Sequence, residues 1–224
     1  MSGRGATDPQ LGWDPAPEQG WVAPRIAAEF PGLGVAWVDV DGHPGRSPEP
    51  VRRRLRDLSN RFYGAHAIRL RERPIPWAYR VFFRQIGLDP DRTRTPVEQL
   101  ALDRLHDGAF KSRGLPVDAI TIAVVETGVA LRAFDADRIE GGLCIRDSAP
   151  GESLAGRSGE LAQGTLTIAD ETRPLAILFG PTAEGCAVEA RSRRIAIAAV
   201  QVNGVPQIAV EEALWMAAVT VEAS

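Results

Sequence analysis

The spacing of apolar residues changes character partway along this chain of 224 residues. From residue 47 to residue 108 they recur at intervals of three and four, as on helices that bury one stripe. After residue 115 they gather in short runs rich in β-branched residues, as buried strands do. Helices early and strands late is not the regular strand–helix alternation of a doubly wound sheet. The order predicts an α/β fold of the α+β kind, with a mixed sheet and flanking helices.

A first strand is expected over Gly34–Val40, where Val35, Trp37, Val38 and Val40 are strand formers. The turn DGHPG at 41–45 follows. Ser47-Pro48-Glu49-Pro50 opens a helix, with proline tolerated in the first turn. Its buried stripe is Leu55, Leu58 and Phe62, and its opposite face is basic through Arg52, Arg53 and Arg56. A second helix is expected from Trp77 to Ile86, ended by Gly87. Thr95-Pro96-Val97-Glu98 combines an N-cap, a proline at the first helical position and a capping-box glutamate. The third helix then runs to Gly108. Expected strands follow at Ile120–Val125, Gly141–Ile145, Leu166–Ala169, Leu175–Phe179, Cys186–Glu189 and Ile195–Val202. The first of these is a continuous apolar run and is expected at the sheet's centre. A closing helix is expected over Val210–Val221. Residues 1–20 show little apolar periodicity and are expected to be loose, leaving 21–224 as a single domain.

Composition narrows the function classes. Apolar residues make up 44% and charged residues 25%, which excludes collagen and wholesale disorder. No apolar stretch of about 18 residues occurs, so no membrane span is expected. The N-terminus lacks the apolar run of a signal peptide, so the expected location is the cytoplasm. Two cysteines, Cys144 and Cys186, and three histidines, His43, His66 and His106, do not suggest a structural metal centre or a disulfide framework. No metal and no cofactor are expected.

The charge is polarised. The whole chain carries –3, yet residues 46–84 hold 11 arginines against 3 acids. Such a patch meets phosphate or another acidic surface, or is simply a solvated helix face with its loops. The near absence of lysine (Lys111 alone) reflects either planar phosphate recognition or coding bias.

Single residues carry little chemistry by themselves. Gly156-Arg157-Ser158-Gly159 lacks the lysine of a phosphate loop and reads as a turn. Ser158 has no histidine near it in sequence. His106 precedes Asp107 at a helix end, and His66 lies beside the basic segment; both read first as surface or structural groups. Cys144 and Cys186 read as core residues. Asp135 and Asp137 suit a turn or cap. The paired glycines Gly141 and Gly142 allow close backbone approach by a ligand or serve a tight turn. Glu152 and Glu160, each after a glycine, either hold an ammonium group or water beside a pocket or are ordinary loop acids.

Taken in order, Tyr79-Arg80-Val81-Phe82-Phe83-Arg84, Gly87-Leu88-Asp89-Pro90, Arg94-Thr95-Pro96-Val97-Glu98-Gln99-Leu100, Leu115-Pro116, Phe134-Asp135-Ala136-Asp137-Arg138-Ile139, Gly141-Gly142 with Arg146, Gly151-Glu152, Gly159-Glu160-Leu161 and Asp170 form a set. The set resembles the B3/B4 domain, the tRNA-binding and editing module of the bacterial phenylalanyl-tRNA synthetase beta subunit, in a free-standing form. The similar region covers roughly residues 60–182. The resemblance implies an α/β fold with a central pocket. It also implies hydrolysis, by water and without metal or covalent intermediate, of an amino acid wrongly esterified to tRNA.

By the same resemblance Glu160 stands at the family's pocket glutamate, and Gly141 and Gly142 line the amino-acid slot. Thr127 and Gly128 fall at a threonine–asparagine pair, and Arg132 falls at the pocket histidine. The asparagine amide is thus lost at Gly128, a family aspartate appears as Val125, and a fixed positive charge replaces an imidazole at Arg132. Arginine cannot act as a base near neutral pH but binds carboxylate, phosphate or carbonyl oxygen. Two functions follow. One is an aminoacyl-tRNA deacylase in which Glu160 positions water or the substrate amine, Thr127 contacts the substrate and the glycine backbones steady the oxyanion. In it, Arg52, Arg53, Arg56, Arg69 and Arg71 hold the tRNA acceptor end. The other is a non-catalytic module that binds tRNA or an amino-acid-like small molecule.

Overall fold

The structure is a computed structural model and describes residues 16–62, 64 and 69–223. In chain order its elements are β1 (Glu18–Gln19), β2 (Trp21–Val22), α1 (Pro24–Glu29), β3 (Gly34–Asp41), α2 (Glu49–Arg61), α3 (Pro74–Gln85), α4 (Pro96–Asp107), α5 (Val117–Thr127), β4 (Ala130–Asp135), a 3₁₀ turn (Ala136–Arg138), β5 (Cys144–Asp147), β6 (Leu166–Ala169), β7 (Pro174–Ile177), β8 (Arg194–Gln201) and α6 (Gln207–Glu222). Of the segment expected to be loose, residues 1–15 lie outside the described residues, and Glu18–Gln19 form β1.

The fold is mixed α/β with flanking helices, its strands divided between two four-stranded sheets. The first has the order β1-β3-β8-β4 and is antiparallel throughout; the second is β2-β5-β6-β7, with β2 and β5 parallel. β8 is the spine of the first sheet. It is buried along Ile195–Val200 because both its faces are covered. One face carries Ile195, Ile197 and Ala199 toward α6, which packs on β3, β8 and α5. The other carries Ala196, Ala198 and Val200 toward the second sheet. The helices α2, α4 and α5 enclose a separate apolar cluster that includes Leu55, Leu58, Phe62, Val97, Ala101 and Phe110.

Two expected strands are corrected. Ile120–Val125 lies within helix α5, not in a central strand. An apolar run this short has no periodicity that separates a buried strand from a buried helix. Here α5 is packed by α2, α4, α6 and β4, so it is apolar nearly all round. The signals that decide it are outside the run. Asp118 sits in the first turn, accepting from Ser47 Oγ (2.6 Å), Ser112 Oγ (2.5 Å) and the Arg113 amide (2.7 Å), and Gly128 closes the helix in the left-handed conformation. Cys186–Glu189 is irregular chain; the Cys186 carbonyl accepts the Asp135 amide at 3.0 Å, outside any ladder. The strand expected from Gly141 begins at Cys144. The capping box at Thr95 and Glu98 is present as expected.

Candidate functional site

Arg132 lies in the middle of β4, directly across from Ala198 of β8, and Ala198 in turn faces Trp37 of β3. Residues opposite one another across a ladder project on the same side. Arg132, Ala198 and Trp37 therefore form one row on the face turned toward the second sheet. The small side chain at 198 leaves room for the long ones on either flank. Trp37 Cη2 sits 3.5 Å from where a side chain at Gly142 would begin, so the row reaches the paired glycines. At its other end the Arg132 guanidinium donates to the Gly180 carbonyl (2.6 Å) and to Thr182 Oγ1 (3.1 Å). Burial alone pushes the Arg132 pKa down to about 10, so the group stays charged near neutral pH.

Thr182 lines a hollow of about 750 Å³ together with Leu154, Gly156, Arg157, Ser158 and Glu184. Two loops make it. The 154–158 loop is joined to the 181–184 turn by the Glu184 amide, which donates to the Ala155 carbonyl at 2.8 Å. Ser158 lies in this hollow, and neither described histidine, His43 or His106, lines it. Glu160 is exposed, two residues beyond Ser158 on the same loop, with its backbone bridged to Ser153. Glu152 is committed elsewhere: it receives Arg146 through two bonds of 2.8 and 2.6 Å, which together with the Ala149 amide hold its carboxyl below the usual range against the opposing effect of burial.

The paired glycines occupy the entrance to β5, the end away from the loop that carries Glu160. Gly141 has φ +77°, a conformation that favours glycine. Asp170, at the end of β6, clamps this stretch. Its carboxylate accepts the amides of Glu140 (3.1 Å), Thr172 (2.8 Å) and Arg173 (2.8 Å), and the Thr172 hydroxyl (3.0 Å). Glu160 and the glycine pair share none of the described hollows. Thr127 and Gly128 end helix α5. The Thr127 hydroxyl donates to the Ala123 carbonyl (2.7 Å) and accepts the Val129 amide (3.1 Å), so its hydrogen bonds serve the helix terminus. A larger hollow, about 770 Å³, lies on the opposite face of β4, lined by Leu131 and Ala133 with α4 and α5.

The arginines of the basic segment divide into two groups. Arg52 and Arg56 both bond to Glu49 in the first turn of α2, and Arg52 also reaches the Ser47 carbonyl. The bonds from Arg56 and Arg52 draw the Glu49 carboxyl down to about 2. Arg53 is exposed on the same helix, and Arg71 is exposed beyond it. Arg69 borders a separate hollow of about 500 Å³ with Arg61, Arg73, Phe62 and Glu126. His66 lies outside the described residues. Cys144 and Cys186 are buried free thiols whose pKa values burial raises. Among the described residues no group of three or more metal-ligating side chains converges, and no helix is long and apolar enough to cross a membrane.

Sequence reasoning missed Trp37, Gly180 and Thr182 as neighbours of Arg132. The alternation of β3 could have put Trp37 on an inner face. Nothing local marks Thr182, whose partner is 50 positions away.

Comparison with known proteins bears on the same residues. Positions 78–211 match the family described as the B3/4 domain, a span that holds Arg132, the paired glycines, Glu160 and Thr182. The chain is 37% identical over 94 residues to the phenylalanine–tRNA ligase beta subunit of Xanthomonas oryzae pv. oryzae, covering 41% of this chain and 12% of that one. It is 39% identical over 101 residues to the same subunit of Nitrosospira multiformis, covering 42% and 12%. The chain thus matches only a small part of these relatives. Among solved structures, an N-terminal fragment of the phenylalanyl-tRNA synthetase beta subunit from Pyrococcus horikoshii aligns over 91% of this chain and 51% of its own, with TM-score 0.42 and 14% identity.

Proposed function

The chain belongs to the B3/4 domain family, and from that premise we propose that it acts in the cytoplasm on the acceptor end of tRNA, as a free-standing editing module that releases a wrongly attached amino acid. In this reading water adds to the ester carbonyl, the bond from that carbon to the ribose oxygen breaks, and amino acid and tRNA with a free hydroxyl result. Glu160 orients the water or the substrate ammonium. Gly141 and Gly142, at the far end of β5 and in no described hollow shared with Glu160, are left out of the hydrolytic step. The observation that carries the reading is the family match itself, which spans every one of these residues. Glu160 suits the role because it is exposed on a loop next to a hollow.

A second reading, recognition without hydrolysis, is favoured by Thr127. Its one hydroxyl proton is committed to the Ala123 carbonyl and so is not donated to a substrate.

Release of amino acid from a panel of mischarged tRNAs separates the two. Hydrolysis of at least one member, lost in Glu160→Ala, supports the editing reading. Wild-type rates in Glu160→Ala remove Glu160 from the mechanism. Binding of tRNA without release from any member selects the recognition module, and absence of both binding and release overturns both.

A further inference from the structure

Two inward-facing arginines in this fold are matched with carboxylates. Arg80, only 3% exposed, bonds to Asp91 and Glu98 at 2.7 Å each. Arg146 forms a two-bonded pair with Glu152. Arg132, like the partly buried Arg104 and Arg173, is not so matched: among the described residues it bonds only to a carbonyl and a hydroxyl, and no acid pairs with it. Of the three it alone reaches a residue that lines the hollow by the 154–158 loop. Arg132 is half-buried, and a guanidinium partly withdrawn from water without a counter-charge carries a desolvation cost. The forked donors of arginine match the two oxygens of a carboxylate. After its bonds to Gly180 and Thr182, one N–H on each terminal nitrogen of Arg132 has no hydrogen-bond partner among the described residues.

The surroundings narrow the anion. Arg132 stands one hydrogen bond behind the wall of the hollow that Thr182 lines. Arg157 and Glu184 on that wall offset each other in charge, which leaves Arg132 as the uncompensated cation. One guanidinium and one hydroxyl suit a singly charged, planar group better than a phosphate, which calls for more positive charge.

We propose that Arg132 and Thr182 form the recognition point for a carboxylate-bearing side chain, so that the amino acid presented to this domain is an acidic one. The proposal rests on the tRNA reading above for the identity of the ligand and adds the class of its side chain.

The test uses the full chain and two non-hydrolysable fragments of an acceptor end, adenosine carrying aspartate or asparagine through a 3′ amide. The pair differs in charge and hardly in size. Titration calorimetry on the wild type is expected to show the aspartyl compound binding about tenfold tighter or more. Arg132→Met is expected to abolish the preference, and Arg132→Lys, which keeps the charge but not the fork, to retain part of it, with thermal melts confirming that both fold. The wild-type comparison stands even if a variant does not fold. Equal affinity of the two compounds for the wild type overturns the proposal while leaving the tRNA reading intact. Competition by inorganic phosphate as strong as that by succinate overturns the carboxylate assignment. Failure of both compounds and of tRNA to bind overturns the tRNA reading and this proposal together.

Discussion

The Tyr79 hydroxyl, on helix α3, donates to the Val200 carbonyl of β8 at 2.5 Å and accepts the Ala130 amide of β4 at 3.0 Å. Val200 and Ala130 are partners in the ladder, so one phenol fills both backbone positions at its end. Tyr79 is 1% exposed, and burial keeps its pKa above the ordinary value and its proton in place. Tyr79→Phe leaves a buried donor and a buried acceptor unpaired. The expected cost is about 1–3 kcal/mol, read in thermal melts at about 2–4 °C per kcal/mol for a chain of this size. A melting temperature equal to the wild type would show that water replaces the hydroxyl.

The pair of Arg80 and Glu98 ties α3 to the start of α4. Glu98 is also the capping-box acid that receives Thr95. Glu98 is 11% exposed at its side chain and Asp91 is 57% exposed. The two carboxylates are therefore unequal partners. Glu98→Ala is expected to cost about 3–5 kcal/mol because it strips a buried charge of its inner partner. Asp91→Ala is expected to cost less than about 1 kcal/mol, as exposed pairs do. Urea titrations of the two variants check the ranking, and equal losses contradict it.

Much of this arrangement was legible in the sequence, and what was not has a common cause. Thr95, Pro96 and Glu98 are three neighbours whose chemistry is complete within one turn, so the start of α4 could be read directly. The strand at 194–201 could be read because β-branched and small apolar residues run unbroken through it. Residues 120–125 show the same kind of run and form a helix, because the packing of α2, α4 and α6 around them is decided far away in the chain. The order of motifs led to the family, and the resemblance drew attention to Arg132 and Glu160. The acid-free surroundings of Arg132 were not readable, since an absent partner leaves no pattern in the chain.

Asp170 gives a pH dependence with a definite sign. Burial pushes its carboxyl up, but the amides of Thr172, Glu140 and Arg173 and the Thr172 hydroxyl outweigh this and hold it below the ordinary 3.8. A carboxyl depressed in the folded state stabilises fully above its unfolded pKa, and the contribution is lost as pH falls through the folded value. Asp170→Asn is therefore expected to be less stable than the wild type at pH 7, with the gap closing below about pH 4. Urea unfolding at several pH values checks this. Hydrogen exchange at Glu140 and Gly141 is expected to quicken in the variant, because the loop bearing the glycine pair loses its clamp.

The two groups of arginines predict different salt behaviour toward tRNA. Arg69 borders a hollow with Arg61 and Arg73, and only Arg61 of these pairs there with Glu126, at 2.7 Å. Arg52 is already held by Glu49 and the Ser47 carbonyl. A cation that neutralises a phosphate releases a counterion, and each such contact adds close to one to the slope of log affinity against log salt. Arg69→Gln is expected to weaken tRNA binding and lower the slope by about 1. Arg52→Gln is expected to leave the slope unchanged, because the charge it removes is already balanced by an acid of the same helix. Filter binding between about 50 and 200 mM salt measures both. An equal fall in slope for the two variants would mean that the Glu49 pair opens on binding and that the whole face of α2 meets the nucleic acid.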